Sequence, residues 1–184
     1  TVRPRRAVYS AALLFVMAAV LAGAHTWAPS GPRLGALVRP EGWSASFRPP
    51  GGFRVQRSRG NSSGVHYRGY LPSGAGADLF FNCRDVGPHE NAADVGRHAL
   101  ADLLLQLTGG RSAAITPLQS EALIGGVAGM EFGVLEPAIL VRSVVLESGD
   151  AYILTLVGGR QVPILPRDYE LFEAVCASVQ FHDG

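Results

Sequence analysis

The chain has 184 residues, 47% of them hydrophobic and only 17% charged, and a formal net charge of +1. That length suits one ordinary domain with an appendage, and near-neutral charge points to no polyanionic partner such as nucleic acid. All 16 Lys-plus-Arg positions are arginine, which excludes Schiff-base lysine chemistry, a P-loop lysine and a lysine general base.

Arg3, Arg5 and Arg6 precede residues 7–27, a stretch of 21 residues without a charged side chain. At about 1.5 Å rise per residue it spans about 31 Å, the thickness of a hydrocarbon core. Trp27 stands where an interfacial aromatic belongs, Pro29 stops the helix, and the leading arginines place the N-terminus in the cytoplasm. The expectation is a single-pass inner-membrane anchor, with residues 1–27 as cytoplasmic tip and transmembrane helix. A cleavable signal peptide is the rival, with Ala22-Gly23-Ala24 as an A-x-A site; a retained anchor is preferred. Ala18 with Ala22, and Ala19 with Gly23, are small residues four apart, a surface on which transmembrane helices of a larger complex could pack. His25 near the outer end of the span could ligate a haem or chlorophyll metal, but a hydrated interfacial histidine is the simpler reading, and no cofactor is expected.

Residues 28–42, with Pro29, Pro32, Pro40, Gly31, Gly35 and Gly42, read as a linker lifting a periplasmic domain, residues 43–184, off the bilayer. Trp43, Ala45 and Phe47 alternate with serines in a first strand, and Pro49-Pro50-Gly51-Gly52 turns the chain. Strands follow over residues 53–57, 65–70 and 77–83, separated by residues 60–64 and 72–76 as turns. Asn61 lies in an N-x-S sequon, a pattern too common to assign glycosylation. Asn91 and Asp94 open a helix as a capping box, and Gly109-Gly110 closes it. Its apolar stripe runs through Val95, Ala99, Leu103 and Leu107, widened by Leu100 and Leu104. Strands over 129–135, 139–147 and 151–157 come next, the last two joined by Ser148-Gly149-Asp150. A second helix begins near Asp168 and buries Leu171, Phe172, Val175 and Val179. Strands with two separated helices predict an α+β domain, an antiparallel sheet covered by helices.

From about Trp43 to Phe181 a resemblance becomes visible. Pro50-Gly51-Gly52-Phe53 looks like a "P-x-GF" entry, and residues 124–132 look like a "v-G-x-x-G-x-e-f" strand. Residues 149–156 look like a "g-x-Y-x-L-t" strand, and Phe172, Val175, Ser178, Val179 and Phe181 fit a closing "F-x-x-v-x-x-S-v-x-F" helix. Together these resemble the PsbP-like family, named after an extrinsic subunit of photosystem II. The resemblance implies an α-β-α sandwich that docks on a membrane complex without catalysing a reaction. None of the family's ligand residues is matched.

No catalytic motif stands against that implication: G-x-S-x-G, H-E-x-x-H, P-loop and dinucleotide fingerprints are all lacking, and Gly125-Gly126 with Gly129 reads as a turn between strands. Asp85, His89, Asp94 and His98 could group around a metal, but solvated helix residues explain them as well, and no metal is expected. Cys83 and Cys176 are expected as buried thiols, with a disulfide as the alternative. Between Glu41 and Asp78 there is no acid, yet Arg48, Arg54, Arg57, Arg59 and Arg68 all occur. Arg54, Arg57, Arg59 and Arg68 are the candidates for an acidic protein surface or anionic lipid headgroups, since arginine favours bidentate carboxylate and phosphate contacts. The expected function is a non-catalytic, membrane-anchored accessory subunit of a multi-subunit membrane complex, photosynthetic or otherwise electron-transferring. The alternative is a free-standing anchored module that binds a ligand or protein.

Overall fold

Period-2 alternation of apolar residues gives the strands, and two 3.6-period stripes give the helices. The computed structural model describes residues 31–56, 64–87, 89–109, 117–159 and 163–182. The expected membrane span, with Ala18, Ala19, Ala22, Gly23 and His25, lies outside these residues, as do Arg57, Arg59 and the Asn61 sequon. No helix among the described residues is long and apolar enough to cross a membrane.

In chain order the elements are β1 (Ala45–Ser46), β2 (Arg54–Gln56), β3 (Gly64–Tyr70), β4 (Gly76–Asp85), α1 (Ala92–Thr108), β5 (Leu118–Ile124), β6 (Val127–Val134), β7 (Ile139–Val145), β8 (Asp150–Gly158), α2 (Pro166–Ala177) and β9 (Gln180–Phe181). Seven strands form an antiparallel sheet in the order β2-β3-β4-β8-β7-β6-β5, and β1 pairs separately with β9. The chain therefore builds β2–β4 first, crosses through α1, and returns to place β8 beside β4 in the middle of the sheet.

The alternation sends side chains to two faces. On one face Phe132, Val141, Ala151 and Ile153 meet Val95 and Leu100 of α1. On the other, Tyr67, Leu79, Phe81, Tyr152 and Leu154 meet Leu171, Phe172 and Val175 of α2, together with Ala45 and Phe47. Each fully buried Phe or Leu is worth roughly 1.5–3 kcal/mol of transfer free energy, so the two layers hold the sheet from both sides. In the second layer Trp43 meets Phe81 and Tyr152, and Phe47 meets Phe81, edge to face, with ring centroids 4.7–6.0 Å apart.

The helix ends follow the expected chemistry. The Asn91 side chain accepts from the Asp94 N–H at 3.0 Å, and the Asp94 carboxylate accepts from the Asn91 N–H. Gly109 ends α1 in the left-handed region. At α2, Pro166 occupies the first turn, and the buried Asp168 carboxylate accepts from the backbone N–H groups of Leu165 and Ser73. The α1 stripe falls where expected through Val95, Ala99, Leu100, Leu103 and Leu104, with Gly96 added to its buried line, whereas Leu107 at its far end is exposed. Gly96 sets how closely the helix approaches, because a Cβ there would lie 2.5 Å from the Ser143 hydroxyl and 2.6 Å from the Phe132 ring.

Candidate functional site

α1 lies over β6, β7 and β8, and among the described residues no helix covers the same face of β2, β3 and β4. Register defines that open floor: Arg54 sits opposite Arg68, Arg68 opposite Asp78, His66 opposite Phe80, and Phe80 opposite Thr155. Arg68 Nε donates to Asp78 Oδ1 at 2.8 Å, and His66 Nε2 lies 2.6 Å from the same oxygen. Burial alone would raise the Asp78 carboxyl, but the hydrogen bonds from Arg68 and His66 outweigh it and hold it below its ordinary range. The His66 ring stacks on Phe80 at 4.3 Å.

Where this floor runs under α1 it forms an open cleft of about 590 Å³, with Phe80, Asn82 and Ile153 below and His98, Asp102 and Gln106 on the helix side. Arg84 grips Glu90 through both guanidinium nitrogens at 3.1 and 3.0 Å, and His98 Nδ1 lies 3.5 Å from the same carboxylate. The Arg84 bonds and the Gly87 N–H lower the Glu90 carboxyl.

The arginine-rich stretch is divided by the fold. Arg54 and Arg68 project side by side from the open face; Arg48 stands at the end of α2, where its backbone N–H donates to the Ser178 hydroxyl at 2.9 Å. Like charges directly opposite on paired strands repel. Asp78 relieves Arg68, while Arg54 has no carboxylate partner among the described residues.

Other constellations serve the fold. Asp94 is taken by the α1 cap and by Arg97, and no group of three or more His, Cys, Asp or Glu side chains converges among the described residues. Both thiols are free; burial pushes Cys176 up to about 12 and raises Cys83 as well, which favours the protonated thiol over the nucleophilic thiolate. Ser46 Oγ and His182 Nε2 are 2.8 Å apart, the spacing of a nucleophile and its base, but Ser46 is buried and the pair bridges β1 to the end of β9.

One charged cluster gave no sign in the sequence. Arg142, 1% exposed at the centre of β7, donates to Glu131 on β6, to both carboxylate oxygens of Glu173 on α2 at 3.0 and 2.6 Å, and to the Leu123 carbonyl at 3.1 Å. The Tyr169 hydroxyl donates to Glu131 Oε1 at 2.9 Å, and the guanidinium carbon lies 5.4 Å from the centre of the Phe172 ring. Hydrogen bonding by Arg142 lowers the Glu173 carboxyl despite its partial burial. With its donors all committed beneath α2, the cluster is a clamp between helix and sheet.

No family model matches the chain, and no curated protein matches it. Among solved structures it is similar to the solution structure of cyanobacterial PsbP from Synechocystis sp. PCC 6803, at 14% identity and a TM-score of 0.58, over 84% of this chain and 96% of that one. The described domain has a PsbP-like fold: an antiparallel sheet between two helices.

Proposed function

We propose that this PsbP-like domain is a non-catalytic accessory subunit, held by an N-terminal anchor and docked on the outer surface of a multi-subunit membrane complex. The likeness to cyanobacterial PsbP supports a photosynthetic or other electron-transfer assembly as that complex. The observation that carries the docking role is the uncovered, polar half of the sheet, where Arg54 and Arg68 face outward beside a single carboxylate. Such a face suits an acidic protein surface, because arginine pairs with carboxylates in a bidentate fork. The run from Arg3 to Trp27 supports a periplasmic position for the domain, with the N-terminus cytoplasmic.

A free-standing anchored binding module is the second reading, favoured by the cleft beneath α1. Purification of the full chain from its own membranes in mild detergent separates the two. A subunit elutes with other chains, and Arg54→Glu together with Arg68→Glu loosens it from them at low salt; a chain that elutes alone refutes the subunit reading.

A further inference from the structure

The two edges of the sheet differ. β2 is three residues long, whereas β5 has seven and pairs with β6 in unbroken register, from Leu118 opposite Gly133 to Ile124 opposite Val127. Among the described residues no strand pairs with its outer side, and the strand Leu-Gln-Ser-Glu-Ala-Leu-Ile has neither proline nor bulge to blunt it. An apolar groove adjoins it on each face. On the α2 side, Leu118, Leu140, Ile164 and Leu165 border a hollow of about 430 Å³, because Gly133 has no side chain to fill it. On the α1 side, Leu123, Ala128 and Met130 line another, beside the start of the helix. Leu118 and Leu123 are 66% and 57% exposed, a large apolar area for an edge.

We propose that β5 is a strand-addition site for an extended segment of another protein, apolar at alternate positions and carrying a basic residue opposite Glu121. The added strand would pair with the outward backbone groups of β5 short of the Leu123 carbonyl, which Arg142 already holds, and set its side chains alternately into the two grooves. Glu121 selects the occupant. It stands at the middle of the strand, exposed, and forms no ion pair among the described residues. Two copies of β5 joined about a two-fold axis centred there would set Glu121 against Glu121, and like charges directly opposite repel. The same carboxylate rewards an arginine or lysine from a different chain. This inference is independent of the subunit reading, since it concerns the opposite edge of the sheet.

The test uses the full chain in detergent with two short synthetic peptides, valine-rich and alternating, one with a central arginine and one with a central glutamate. The arginine peptide should slow hydrogen exchange at the outward amides of β5 and bind about tenfold more tightly than the glutamate peptide. Glu121→Arg should reverse that order, and Glu121→Gln should abolish the discrimination; both are exposed changes that leave the core intact. Protection elsewhere than β5, or an order that survives the charge reversal, overturns the proposal. So does a concentration-dependent dimer that protects β5 without peptide, which would assign the edge to a second copy.

Discussion

Arg142 shows how much a single side chain can hold. Burying a guanidinium costs several kcal/mol, which only a complete set of partners offsets, and here Glu131, Glu173, the Leu123 carbonyl and the Tyr169 hydroxyl provide it. Arg142→Leu leaves the buried Glu131 carboxylate without its cation and should destabilise the domain by about 3–5 kcal/mol. Adding Glu131→Leu should recover most of that, because the buried charge is then gone and Glu173 can turn to water. Denaturant midpoints of the two variants decide the matter; a double variant no better than the single would move the cost from charge to packing. The cluster was illegible in the sequence for a physical reason. Ile-Leu-Val-Arg-Ser-Val-Val reads as a strand with its arginine on a solvent face, and the helix that covers that face is contributed from farther along the chain.

At the scale of elements, legibility followed burial. Both helices and the strands with one buried face were visible from alternation, capping residues and turns, and the Gly125-Gly126 turn was readable as such. There Gly125 adopts φ of +56° with the Val179 carbonyl oxygen 2.6 Å from where a Cβ would sit, so no other residue fits without strain. β5 escaped, because only Ile124 of its seven residues is fully buried and Leu-Gln-Ser-Glu-Ala-Leu has no alternation to betray an edge. The pairing of Arg54 with Arg68 was equally hidden, since it depends on register across β2 and β3. Gly96 tests the packing of α1. In an exposed helix Gly→Ala gains about 1 kcal/mol, but here the added methyl meets the Phe132 ring and a Ser143 hydroxyl already donating to the Ala92 carbonyl at 2.6 Å. Gly96→Ala is therefore expected to destabilise by about 1–3 kcal/mol. A raised unfolding midpoint would show that the helix can lift away freely.

For the molecule as a whole, three lowered carboxyls join different elements: Asp78 links β3 to β4, Glu90 ties the α1 entry to β4, and Glu173 ties α2 to β7. Each has a folded pKa below its unfolded value. Their contribution is thus present above unfolded values of about 3.9–4.3 and is lost as pH falls through the folded values. Thermal midpoints followed by circular dichroism should change little between pH 7 and about 5 and drop below about 4; a main loss between 7 and 5 would implicate other groups. A different consequence follows from the β1–β9 clasp. It joins Ser46 to His182 across 136 residues of chain, and the helix that covers the aromatic face also comes after every strand of the main sheet. Until residues 166–181 have folded back, Phe47, Phe81 and Tyr152 have no α2 to lie against and β1 has no partner. A chain at that stage of folding is a sheet with one bare face, the form in which a holding chaperone would meet it.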